Sequence, residues 1–135
     1  MIPKFRAWHK TWEELGEVER IRFDDEGNVS TVLVIGKSFG ANIYIDKIEL
    51  MQTTGLKDKN GKEIFEGDIL GIETINEQVY VSVFWDNKHA LFMFKSEKYN
   101  ESEALAELVE DYAYPFEIVG NVWENKELLE ESNNG

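Results

Sequence analysis

Val79-Tyr-Val-Ser-Val-Phe-Trp85 is the stretch on which the fold turns. Alternation puts Val79, Val81, Val83 and Trp85 on one face of a strand and Tyr80, Ser82 and Phe84 on the other, and both sets are rich in the β-branched and aromatic residues that pack well on a pleated surface. Such a strand is largely buried on both sides. Asp86-Asn-Lys-His89 turns the chain into Ala90-Leu-Phe-Met-Phe94, and Ile69-Leu-Gly-Ile72 precedes it, so the three segments make an antiparallel meander. The period then changes. Residues 101–112 place Leu105, Leu108, Val109 and Tyr112 on one stripe of a short amphipathic helix, with Asn100 as N-cap and Glu103 three residues on. Pro115 ends that helix, Phe116 to Trp123 forms a closing strand, and Asn125 caps a final turn holding Leu128 and Leu129 before a polar, frayed tail from Glu130. One contiguous core of Val81, Val83, Trp85, Phe92, Leu105, Leu108, Val119 and Trp123 follows from these faces.

Upstream, short strands dominate. Phe5-Arg-Ala-Trp8 alternates; Val18 to Phe23 and Val29 to Ile35 form a hairpin with Gly27 at the turn position that needs positive φ; Ile43 to Ile45 and Ile48 to Gln52 are further strands. Many short strands with polar turns point to a mainly β (α+β) protein. The segmentation is an N-terminal β-hairpin lobe, residues 1–62, and a small antiparallel β-barrel-like C-terminal lobe, residues 63–135, with one helix at 101–112, one continuous domain being the alternative. The turn Glu66-Gly-Asp68, a long hairpin and a strand after a helix are similar to SH3-like barrels, a likeness that speaks to fold only.

The two lobes are joined by Thr54-Gly-Leu-Lys-Asp-Lys-Asn-Gly-Lys-Glu-Ile-Phe-Glu-Gly-Asp-Ile-Leu70. Asn60-Gly61 can supply the two positive φ angles of a type I′ hairpin turn, and Gly67-Asp68 bends the chain into the next strand. With Gly55, these residues have structural roles. The segment resembles the hallmark of the YopX family of phage and prophage proteins, whose members share this core, an N-terminal "KFRAW" and a C-terminal "GNVWEN-x-ELL" ending. The matches fall at Lys4–Trp8, Leu50–Ile69 and Ile118–Leu129, covering both ends and the middle. The resemblance implies a phage setting and brings no activity with it.

Charge bounds the function classes. The net charge is −13, and residues 1–62 hold ten Lys/Arg and ten Asp/Glu while residues 63–135 hold four and seventeen, so the whole excess lies in the second lobe. That field repels nucleic-acid phosphates and membrane headgroups and attracts a basic partner, or simply keeps the chain soluble. Without cysteine there is no disulfide or thiolate site, and no apolar run approaches a membrane span or a signal-peptide core, which together point to the cytoplasm; the resemblance implies that of a bacterial host.

No constellation carries chemistry. Glu63, Glu66, Asp68, Glu73 and Glu77 offer carboxylates but no singled-out acid–base pair. Placing Gly61 or Gly27 at the sixth position of a calcium loop puts Gly67 or Leu33 where the bidentate Glu belongs. His9 and His89 are the only histidines. No phosphate-binding or nucleophile-elbow motif is present, and no cofactor is implied. The leading expectation is a non-enzymatic protein that binds a basic host or phage protein through Glu103, Glu107 and Glu110 on the helix face, with Trp12 and Tyr114 as the exposed aromatics. Rival readings are a carboxylate/Mg²⁺-dependent enzyme and a nucleic-acid binder using Lys4, Arg6, Lys10, Arg20 and Arg22. A homo-oligomer is left open.

Overall fold

The computed structural model describes residues 3–111 and 114–134, with side chains up to Glu130. It divides into two compact units between Thr53 and Thr54, whereas the charge count divides the chain after Lys62.

The first unit is an antiparallel sheet of β1 (Phe5–His9), β2 (Glu14–Phe23), β3 (Val29–Ile35), β4 (Gly40–Tyr44) and β5 (Ile48–Lys57), in the order β4-β3-β2-β1-β5, with a turn of 3₁₀ helix at Ile45–Lys47. The hairpin expected at Gly27 is present, with φ of 85°. Alternation does the work here: Val32, Val34, Ile43 and Ile48 close over Ala7 as one core, and Ile21 adds to it while Arg20 and Arg22 face solvent. β5 leaves this unit at Thr53, and its continuation pairs in the second unit with β6 (Glu63–Phe65).

The second unit holds a five-stranded antiparallel sheet of β7 (Asp68–Glu73), β8 (Gln78–Asp86), β9 (Leu91–Ser96), β10 (Glu101–Ala104) and β11 (Phe116–Asn121), in the order β10-β9-β8-β7-β11. The meander of the opening stretch is therefore correct. The barrel is not closed: among the described residues β10 and β11 stand at opposite edges of an open sheet. Helix α1 (Leu105–Glu110) packs Leu105 and Leu108 onto Val81, Val83, Phe94, Leu70 and Phe116, and α2 (Lys126–Asn134) is the last described element. Among the described residues no helix is long and apolar enough to cross a membrane.

Several expectations need correction. Residues 101–104 are strand, not the first turn of a helix, because the unpaired edge of β9 offers a ladder to a segment whose acids alternate. Asn100 is no N-cap; it sits at φ 51° in the β9–β10 turn, a left-handed position that Asn tolerates, and the helix starts after Ala104 without a side-chain cap. Tyr112 lies outside the described residues. Val81, Val83, Leu105 and Leu108 are buried and Phe92 and Val119 half-buried, but Trp85 and Trp123 are 41% and 40% exposed. Trp85 lies near the end of β8, where its ring meets Phe92 edge-on at 5.0 Å and its Nε1 donates to Asn87. Trp123 follows an Asx turn in which Asn121 Oδ1 accepts from the N–H groups of Trp123 and Glu124. Asn125 stands just before α2, with its side-chain oxygen on the Asn121 N–H, and that helix runs on to Asn134 where a frayed tail was expected.

The hallmark segment, Thr54 to Leu70, makes a different turn from the one expected. Of Asn60 and Gly61 only Gly61 has positive φ, 77°; the turn closes with Gly61 N–H donating to the Asp58 carbonyl at 3.0 Å and Asp58 N–H to that of Lys62 at 2.9 Å. Asp58 is buried, and its carboxylate takes the N–H groups of Asn60 and Lys62, both at 2.9 Å, on Oδ1 and that of Ile118 in β11 at 3.0 Å on Oδ2. One side chain thus shapes the turn and fastens it to the far sheet edge. Gly55 and Gly67 also have positive φ, the Gly67 N–H donates to the Val83 carbonyl and its own carbonyl accepts from Val122, and buried Asp68 accepts from Phe65 N–H at 2.8 Å.

Candidate binding cleft

The ladder registers of the second sheet fix which side chains share its helix-covered face. Glu101 pairs with Ser96, Ser96 with Val81 and Val81 with Leu70; one row along, Glu103 pairs with Phe94 and Phe94 with Val83. Directly paired residues point to the same side of a sheet. Glu101 and Glu103 therefore continue the face that carries the core, at the edge where the apolar residues stop.

A cleft of about 630 Å³ opens at that edge. Ile72, Val79, Val81, Phe94 and Leu108 floor it, Glu101, Glu103, Glu107 and Asp111 rim it, and Tyr99, Tyr114 and Ile75 stand around its mouth. Ile75, at the β7–β8 turn, is 96% exposed. Among the described residues Glu101, Glu103 and Glu107 make no ion pair. Like charges gathered beside an apolar floor make a negative surface.

One carboxylate beside this rim behaves differently. Glu77 in the β7–β8 turn accepts from Lys98 Nζ at 2.6 Å and from the Tyr99 hydroxyl, clasping the tip of the β7–β8 hairpin to that of β9–β10. The Lys98 hydrogen bond, followed by that of Tyr99, holds the Glu77 carboxyl below its ordinary value, and the same contacts raise Lys98 and Tyr99 above theirs.

The sequence-derived site residues scatter in part. Glu103, Glu107 and Tyr114 converge on the cleft, although Glu103 reaches it from a strand and not from the helix face. Glu110 is exposed on α1 away from the cleft lining. Trp12 belongs to the first unit; it is exposed, but its ring stacks on buried His9 at 3.9 Å and meets Phe39 edge-on at 5.0 Å, while His9 Nδ1 accepts the Thr11 and Trp12 N–H groups. Glu101 and Ile75 were not expected in a site. The i, i+2 repeat Glu101-Ser-Glu103 was the available signal, concealed by assigning it to a helix. Among the described residues no three His, Asp or Glu side chains stand close enough together to hold a metal ion.

Two solved structures share this architecture. A protein from Enterococcus faecalis, EF1440, is 27% identical with a TM-score of 0.68 over 96% of this chain and 99% of its own. The protein yopX from Bacillus subtilis is 17% identical with a TM-score of 0.64 over 93% of this chain and 96% of its own, a likeness of fold. No curated protein matches the chain. The family model described as YopX protein matches residues 4–130, most of both units, and the chain belongs to the YopX family.

Proposed function

We propose that this chain is a non-enzymatic phage or prophage accessory protein that works in the bacterial cytoplasm by binding a basic protein through the cleft of its second unit. The observation that carries the reading is the set of unpaired carboxylates, Glu101, Glu103 and Glu107, along an apolar floor of Val79, Val81, Phe94 and Leu108. Charge supports it on a larger scale: residues 54–135 hold seven Lys/Arg against eighteen Asp/Glu, a net −11, whereas residues 1–53 hold seven against nine, a net −2. A field of that sign speeds encounter with a cationic surface and discourages phosphates. The apolar floor supplies burial that salt does not screen, which the methylene stems of lysine and arginine can use. Neither the family description nor the names of the two solved relatives states an activity.

The test compares the immobilised protein with its Glu101→Gln, Glu103→Gln, Glu107→Gln variant for retention of purified basic proteins from a bacterial host. The reading expects specific retention that the variant loses and that weakens with salt. Equal retention by both would overturn it.

A further inference from the structure

The cleft has a second unused feature, the free edge of β10. We propose that the partner binds as an extended segment that adds a strand to β10, with basic residues at every second position set against Glu101 and Glu103; this rests on the cleft being the binding site. β10 ends the sheet, Glu101, Ser102 and Glu103 are exposed, and among the described residues no strand pairs with its outer side. An edge of this kind presents backbone N–H and C=O groups to another chain.

The register selects the partner's pattern. Glu101 and Glu103 lie two residues apart on the cleft side of β10 while Ser102 faces the other way. A strand laid beside β10 has the same period of two, so its alternate side chains fall opposite those two glutamates and over the cleft. A Lys or Arg at i and i+2 of an extended segment meets both carboxylates at once; the same charges at adjacent positions send one of the pair to the wrong face. Glu107, reaching the rim from α1, is placed for a third cation or for the amino end of the added strand. Inward-pointing acids on an edge strand can also serve as guards against unwanted pairing, and the two roles separate by experiment.

The probe is a short capped peptide in which lysine alternates with threonine, titrated into the full chain by fluorescence anisotropy. It is compared with a peptide of the same composition carrying lysines and threonines in adjacent pairs, and with two versions N-methylated at every second residue in opposite phases. Strand addition predicts that the alternating peptide binds about tenfold more tightly than the paired one, a free-energy difference of about 1.4 kcal/mol, and that one methylation phase abolishes binding while the other leaves it. Glu101→Lys with Glu103→Lys should lose the lysine peptide and gain one alternating glutamate with threonine. If both methylated peptides bind like the parent, strand addition is wrong and capture by side chains in the cleft stands. If no peptide binds, the cleft reading falls with it and the glutamates are edge guards. A dimer of the chain that peptide cannot disperse, seen by sedimentation, would make a second copy the occupant and overturn the proposal.

Discussion

Asp58 and the glutamates of the cleft rim are acids in one unit put to opposite uses. Asp58 is buried with three backbone N–H groups on its two oxygens; Glu101, Glu103 and Glu107 are exposed beside an apolar floor with no ion pair among the described residues. Charge that the fold satisfies internally is architecture, and removing it leaves buried donors orphaned. Charge that the fold leaves over repels itself at some cost to stability, and is available to something outside the chain.

Removing Asp58 should break the first half of that contrast with the largest effect. Asp58→Ala leaves the N–H groups of Asn60, Lys62 and Ile118 without their acceptor and should cost about 3 kcal/mol, read as a lower urea midpoint at unchanged slope. Gly61→Ala tests the same turn more gently. A Cβ there meets nothing within 4 Å, so the loss of about 1 kcal/mol expected comes from left-handed backbone strain alone.

Much of this architecture was legible because it is local. Strict alternation from Val79 to Val83, the Gly27 hairpin and the need for positive φ at Gly61 are each decided within a few residues, and each is present. The turn at Asp58 and the strand at Glu103 were not legible, for a physical reason: each depends on another strand, far along the chain for Asp58 and across one turn for Glu103. Asp58 reaches Ile118, and residues 101–104 become strand because β9 presents an open edge, which overrides a pattern that also fits a helix. Helical period singled out Glu107 and the neighbouring Pro115 singled out Tyr114 as candidates; Glu101 needed the register.

The clasp at Glu77 sharpens the contrast through pH. Its carboxyl is held below the ordinary value of 4.5, so its contribution is fully present above that pH and is lost as pH falls through the lower, folded value. Lys98 is raised, so its share is present below its ordinary 10.5 and lost as pH rises through the higher, folded value. NMR titration of the Glu77 carboxyl should show that depression, and Lys98→Met should remove most of it. An unshifted Glu77 would mean that the two hairpin tips are not clasped.

The smallest effect on stability is expected at the rim. The variant carrying Glu101→Gln, Glu103→Gln and Glu107→Gln should unfold within about 0.5 kcal/mol of the parent or slightly later, as exposed carboxylates that repel one another contribute nothing to the fold. A loss as large as that of Asp58→Ala would place these acids among the architecture and erase the distinction.

Binding kinetics test the central claim most directly. Association of the alternating lysine–threonine peptide should be followed by stopped flow for the parent and the rim variant at low and at physiological ionic strength. If the leftover charge serves recognition, the parent's association rate should fall about tenfold across that range while its dissociation rate barely changes, and the variant should associate slowly at both. Equal association rates for the two proteins at every salt concentration would contradict the account and return the rim glutamates to the role of keeping the chain in solution.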